Sequence, residues 1–357
     1  MKLVRVFPNL SAENKSAYRN RQEAIITCIS PVFYLISRND NQADKMKIIA
    51  DNTVPYLKGI LEPIADVSYL DSKEFTPTNI KDADALIVRS IDKCTRELLE
   101  GSRVRLITTA TIGYDHIDIH YCEKTGITWK NAPGCNAASV GQYVLSSLVA
   151  VALRKGERLA GKTIGIVGVG HVGSIVERLC EAMGMRVLRN DPPRAEQEGE
   201  DGFVSLDTIA KEADIITLHV PLTKEGRFAT RHLADHAFFD QLERKPWFIN
   251  SCRGAVHDTQ ALLQAKRTGK VSELIIDCWE NEPDIDRELL SEATIATPHI
   301  AGFSADGKAN GTRMCLENIG AFSVSVSKRS RKSFRLPQPT HSSTWDNSRS
   351  TGWKEPS

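Results

Sequence analysis

The sequence has almost no net charge, no cysteine spacing that suits a metal, and no long apolar run near its start. With 46 Lys and Arg against 45 Asp and Glu, nothing in the global electrostatics calls for nucleic acid or an anionic membrane as a partner. The cysteines, at positions 28, 94, 122, 135, 180, 252, 278 and 315, contain no CxxC pair. That scatter suits reduced thiols in a cytoplasmic protein and argues against a metal site or a disulfide framework. The apolar stretch from Ala24 to Ile36 is interrupted by Pro31 and is too short to span a bilayer. No small-residue cleavage site follows it at Ser37-Arg38-Asn39-Asp40.

What is present begins at Met46. Residues 1–45 are polar and lack sustained periodicity outside the short apolar run, so a disordered extension is expected there. Strands are then predicted at Met46 to Asp51, Val67 to Leu70, Ala85 to Arg89, Leu106 to Thr109 and Ile127 to Asn131. Helical patterns fall near Tyr56 to Ile64, Thr95 to Glu100 and Ile117 to Lys124, followed by a long apolar helix from Ala137 to Leu153. Further strands are predicted at Asp214 to Val220, Trp247 to Arg253, Glu273 to Trp279 and Thr294 to Thr297, and a last helix from about Ala305 to Ala321. Alternation of this kind predicts an α/β protein with two doubly wound parallel sheets. The tail, residues 323–357, is Ser-rich and expected to be disordered. Its basic cluster from Lys328 to Lys332 reads as solvated charge rather than a nucleic-acid patch.

The segment Gly168-Val169-Gly170-His171-Val172-Gly173 stands between an apolar strand pattern, Ile164 to Val169, and an amphipathic run through Ile175, Leu179 and Met183. Gly168 suits a tight turn, Gly170 lets the backbone approach a pyrophosphate, and Gly173 lets helix and strand pack closely. The helix start at His171 and Val172 offers free N–H groups to phosphates. A second strand, Met185 to Leu188, leads to Asp191, which suits the ribose hydroxyls of NAD and repels the 2′-phosphate of NADP. Arg194 works against that preference as a nearby cation.

Oxidation of a hydroxyl beside a carboxylate asks for three groups: a guanidinium for the carboxylate, a histidine for the proton, and an acid to orient the histidine. Arg253, His299 and Glu282 supply these types. Cys252 has no evident base beside it, and His116 and His120 have no compact ligand set around them.

The segments Asn250 to Ala255, Asp277 to Pro283 and Pro298 to Gly302, together with the glycine turn, resemble the signatures of D-isomer-specific 2-hydroxyacid dehydrogenases. The resemblance implies an Arg, Glu and His triad, NAD as cofactor, and a substrate domain discontinuous in sequence. Residues 46–145 and 297–322 would form that domain, and residues 146–296 the NAD-binding domain. Val88-Arg89-Ser90, Thr109 to Asp118, Ala132 to Ala137, Asp191 to Arg194 and Ser304 to Thr312 resemble the erythronate-4-phosphate dehydrogenase branch of the family.

That branch implies a small phosphorylated hydroxy acid with contacts at Ser90, Thr111 and Phe303, and Arg89, at the same strand end as Ser90, is expected to supply charge for its phosphate. It also implies NAD contacts at Asp191, Val220, Ser251, Cys252, Arg253, Asp277 and Gly302. Its members carry a dimerisation domain after the last helix, where this sequence has the Ser-rich tail. A homodimer through the Ala137 to Leu153 helix is nonetheless expected. Two other readings stay open: a 3-phosphoglycerate or other D-2-hydroxyacid dehydrogenase, and a non-enzymatic NAD-sensing protein docking through its basic tail.

Overall fold

The structure is a computed structural model that describes residue 16, residues 19–25 and residues 45–330. Strands Lys47–Asp51 (β1), Asp66–Leu70 (β2), Ala85–Val88 (β3), Leu106–Thr109 (β4) and Thr128–Lys130 (β5) form one sheet in the order β2-β1-β3-β4-β5. Thr163–Val167 (β6), Arg186–Asn190 (β7), Ile215–Leu218 (β8), Trp247–Asn250 (β9), Glu273–Ile276 (β10) and Ile295–Ala296 (β11) form a second, in the order β11-β10-β9-β8-β6-β7. All pairings are parallel. Parallel strands need helical crossovers, which cover both faces and leave no wet side. Accordingly β3, β4, β6, β8, β9 and β10 are buried along their whole lengths.

The register decides where the chemistry emerges. Val167, Leu218, Asn250 and Ile276 stand level across β6, β8, β9 and β10. The residues that follow them, from Gly168, His219, Ser251 and Asp277, therefore leave the sheet side by side. In the first sheet Val88 stands level with Thr109, so Arg89 and Thr111 leave close together. Each sheet reverses its strand order, at β1/β3 and at β6/β8, and ligands collect at the carboxyl ends of strands beside such a reversal.

Between the sheets runs the helix Ala137–Lys155. By length and composition it could cross a membrane, but Val140, Val144, Leu148 and Val151 are buried in the second domain's core with Ile164, Val176 and Ile249. Its Gly141 lies so close to Ile175 of the helix His171–Ala182 that a Cβ would fall 2.6 Å from Ile175 Cγ2. Ala138, Ser146, Ala150 and Leu153 remain exposed on its other side. The last helix, Ala305–Ser330, returns to the first sheet, where Cys315, Leu316 and Ile319 pack with Ile48 and Leu106.

Three expectations need correction. Tyr56 to Ile64 is not a helix but a chain of turns: Leu57, Ile60 and Leu61 are buried at helical spacing, yet Tyr56 and Gly59 take φ of 62° and 89°. The left-handed backbone at these two positions breaks the ladder that the apolar spacing suggests. The returning helix continues to Ser330, past the expected end of the fold at residue 322. Residues 19–25 form a helical segment where a disordered extension is expected. Gln22 donates from Nε2 to the Lys58 carbonyl at 2.9 Å, and Ile25 is 3% exposed within the first domain's core. The rest of residues 1–44 and residues 331–357 lie outside the described residues.

This placement of Ile25 is directly testable. Ile25→Ala should cost about 2–5 kcal/mol in denaturant unfolding, the usual range for emptying a core isoleucine site. A disordered leader would leave stability unchanged.

Candidate active site

A cleft between the two sheets is lined from one side by Arg89, Ser90 and Thr111 and from the other by Gly170, Val220, Ser251, Cys252, Arg253 and Asp277. His299, Gly302 and Phe303 join it from the loop ahead of the returning helix. The expected site residues thus meet, except that Glu282 stands behind His299, Gly168 and Gly173 shape the turn beneath Gly170, and Asp191 closes β7.

His299 is held by two carboxylates. Glu282 Oε2 lies 2.8 Å from His299 Nδ1, and the other Glu282 oxygen accepts from the Trp279 N–H at 2.7 Å. The hydrogen bond to Glu282 raises the His299 pKa above its ordinary value, against the effect of burial. Burial pushes the Glu282 pKa upward, but hydrogen bonds from His299 and Trp279 and the positive charges of His299 and Arg253 leave it lowered overall. With Nδ1 carrying the proton toward Glu282, Nε2 keeps a lone pair for the cleft. The second carboxylate, Asp277, is fully buried and accepts from Thr297 Oγ1 at 2.6 Å, Ile300 N at 2.8 Å and Ala301 N at 2.9 Å. It ties the loop to β10 while His299 sits at φ 55°, a conformation that costs a non-glycine residue about 1 kcal/mol or more.

Arg253 reaches across the cleft, where its Nε lies 3.5 Å from Asp115 of the first domain. Its loop is pressed against the loop that carries Glu282: a Cβ on Gly254 would fall 1.9 Å from the Trp279 carbonyl oxygen. Glu280 fastens the same junction by accepting from Thr259 N at 2.9 Å and pairing with His232 Nε2 at 2.7 Å. The guanidinium and the imidazole thus hold a fixed separation.

The glycine turn has the expected form. Gly168 takes φ 89°, a Cβ on Gly173 would lie 2.1 Å from the Gly168 carbonyl oxygen, and the space beside Gly170 is open. No side chain caps the helix that starts at His171, which leaves its first N–H groups for an anion. Asp191 accepts from Val169 N at 2.9 Å and Arg194 N at 3.2 Å. Arg194 is committed to Glu198 by two 2.8 Å contacts, so it is not a free cation awaiting a 2′-phosphate. Among the described residues, four buried side-chain atoms lack a hydrogen-bond partner, and three of them, on Asn136, His219 and Ser251, line this cleft. Unpaired buried polar atoms clustered in one place fit a polar ligand that completes them.

On the first-domain side, Thr111 Oγ1 donates to the Gly113 carbonyl at 2.9 Å and stands 2.7 Å from Thr109 Oγ1, which in turn contacts His116 Nε2 at 3.2 Å. Burial lowers the His116 pKa to about 4, so it stays neutral and serves this hydrogen-bond chain. Arg89 donates to Thr53 Oγ1 at 2.8 Å.

Residues 142–301 match the family described as D-isomer specific 2-hydroxyacid dehydrogenase, NAD binding domain. The chain is 58% identical over 275 residues to an erythronate-4-phosphate dehydrogenase of Porphyromonas gingivalis, covering 77% of this chain and 74% of that one. The chain belongs to the D-isomer-specific 2-hydroxyacid dehydrogenases. It is an NAD-dependent dehydrogenase. An erythronate-4-phosphate dehydrogenase of Bacteroides thetaiotaomicron is 56% identical over 278 residues, 78% of this chain and 80% of that one. Among solved structures, an NAD- and lactate-bound D-lactate dehydrogenase of Aquifex aeolicus superposes with a TM-score of 0.66 at 28% identity, over 79% of this chain and 97% of that one. An NAD-bound 3-phosphoglycerate dehydrogenase of Entamoeba histolytica gives 0.67 at 27% identity, over 82% and 100%.

Other thiols and donors in this dehydrogenase read as structural. Cys252 is buried, its thiol contacts Asn250 Oδ1 at 3.2 Å, and burial pushes its pKa up to about 11, which removes it as a nucleophile. Donor atoms of Cys278, Glu282 and His299 lie within 4.8 Å of one another. The Glu282–His299 hydrogen bond already engages two of them, and burial disfavours the Cys278 thiolate. Asn136, His219 and Lys308 were not singled out from sequence. The strand-end rule points to His219, at the end of β8, whereas Asn136 and Lys308 join the cleft only through tertiary packing.

The Glu282 contact makes a signed prediction for a histidine that must be neutral to accept a proton. Glu282→Gln removes the anion that raises the His299 pKa, so the acidic limb of the alcohol-oxidation profile should move to lower pH, with lower maximal turnover. An unmoved limb in a pH–rate titration would contradict the contact.

Proposed function

We propose that this dehydrogenase oxidises 4-phosphoerythronate to 2-oxo-3-hydroxy-4-phosphobutanoate, a step toward pyridoxal 5′-phosphate. One observation carries the reading: a Glu282-backed histidine and the Arg253 guanidinium share a cleft with a separate cationic and hydroxyl-bearing cluster at Arg89, Ser90 and Thr111. A hydroxy acid with a phosphate at its far end matches both groups of residues. The names of the relatives that are 58% and 56% identical support the same substrate.

In this reading the Arg253 guanidinium grips the substrate carboxylate in a planar, two-pronged contact. His299 Nε2 takes the proton of the neighbouring hydroxyl, and Glu282 offsets the positive charge that the imidazole gains. Bound NAD supplies the electron acceptor for the oxidation. The turn Gly168 to Gly173 and the helix start at His171 and Val172 would hold its pyrophosphate. Asp191 would accept from a ribose, and Val220, Ser251, Asp277 and Gly302 would border the rest. Ser90, Thr111 and Arg89 would receive the phosphate, with Phe303 beside them.

The test is NAD reduction with 4-phosphoerythronate and 3-phosphoglycerate measured side by side. The expected result is a higher kcat/KM for 4-phosphoerythronate. Preference for 3-phosphoglycerate would move the enzyme to that branch, and NAD binding without turnover of any hydroxy acid would favour a sensing protein.

A further inference from the structure

Arg89 and Lys308 both line the cleft, yet neither has a carboxylate partner among the ion pairs of the described residues. They come from different parts of the chain, one at the end of β3 and one in the first turn of the helix Ala305–Ser330. The two charges are close enough to interact. Burial, and next the charge of Arg89, hold the Lys308 ammonium below lysine's ordinary range. A helix start is also the unfavourable end for a cation, because the first-turn N–H groups already carry partial positive charge. Lys308 is half-buried in this position, with its Nζ 3.3 Å from the centroid of the Phe303 ring. A ring face offsets part of the electrostatic cost and leaves the ammonium free to turn to a stronger partner.

The charge pattern differs at the other end of the cleft. Arg253 lies against Asp115 there, so that end offers one partly balanced guanidinium, whereas Arg89 and Lys308 are two cations with no ion-paired carboxylate among the described residues. A carboxylate brings one negative charge. A phosphate monoester brings roughly 1.5–2 at neutral pH, with three acceptor oxygens for separate donors.

We propose that Lys308 is a specificity-determining residue of the substrate site, the second cation of a clamp with Arg89 that selects a dianionic phosphate at the end of the hydroxy acid remote from the reacting carbon. The proposal rests on the phosphorylated hydroxy-acid reading above and adds to it the residue and charge that enforce that choice. The Phe303 face is the resting place of the ammonium, which leaves the ring when phosphate binds. Unequal positive charge at the two ends also fixes which way round the substrate lies, carboxylate to Arg253 and phosphate to Arg89 and Lys308.

The experiment compares Lys308→Met and Lys308→Arg with the unaltered enzyme, using 4-phosphoerythronate and erythronate as substrates and inorganic phosphate as a competitive inhibitor of erythronate oxidation. Lys308→Met should lower kcat/KM for 4-phosphoerythronate roughly 10- to 100-fold, chiefly through KM, as expected for loss of one charged hydrogen bond. The inhibition constant of phosphate should rise in parallel, while Lys308→Arg should recover most of both. An equal loss with erythronate, or an unchanged phosphate inhibition constant, would overturn the clamp. NAD affinity and melting temperature, measured on the same samples, separate misfolding of the Met variant from loss of the contact, and the Arg variant keeps the charge test intact. If the unaltered enzyme does not oxidise 4-phosphoerythronate, the substrate reading fails. The phosphate inhibition constants, read against any hydroxy acid it does oxidise, still decide the role of Lys308.

Discussion

The buried carboxylate of Asp277 is the constraint on which the active-site arrangement depends. It caps the 297–301 loop with hydrogen bonds from Thr297, Ile300 and Ala301, while its own carbonyl accepts from His299 N at 2.8 Å. A carboxyl group so deeply placed needs hydrogen-bond partners to offset lost hydration. The loop in turn needs the carboxylate, because His299 holds a left-handed backbone that little else would maintain. Tyr143 extends the bracing to the helix between the domains through a 2.7 Å contact with Thr297. The base therefore stands on a loop that is fixed by the buried carboxylate at the end of β10.

From that fixed point the remaining groups take their positions by close packing. The Arg253 loop can approach the Glu282 loop only because Gly254 has no side chain, and the glycine turn can form only because Gly173 has none. Level strand ends then present Gly168, His219, Ser251 and Asp277 in one row, facing Arg89 and Thr111 from the other sheet. The cleft is a meeting of strand ends from two sheets, and each element brings its own charge to it: an anion-backed histidine from the 297–301 loop, Arg253 after β9, and Arg89 after β3.

Much of this was legible in the sequence because the informative residues are local. Apolar runs ending in polar residues located each of the eleven described strands, and the spacing of Gly168, Gly170, Gly173 and Asp191 located the nucleotide turn. Arg253, Glu282 and His299 are legible because their residue types suit the chemistry and their short local segments resemble the family's signatures. What was not legible depends on contacts between distant segments. The buried Leu57 and Leu61 imitate a helix, and only the positive φ of Tyr56 and Gly59 shows that the chain turns instead. Ile25 lies in a short apolar run that gives no sign of what it packs against, since its burial depends on the distant cluster of Ile48, Leu57 and Leu316. Lys308 looks like an ordinary helix-surface lysine until Arg89 is placed across from it.

The central claim is that Glu282 holds His299 as a base with its free nitrogen toward the cleft. Nitrogen-15 NMR of histidine-labelled protein, titrated with pH, measures this without substrate. The account predicts that His299 titrates above the ordinary imidazole value of about 6.5, and that its neutral form carries the proton on Nδ1. Titration at or below that value, or a neutral form protonated on Nε2, would contradict it.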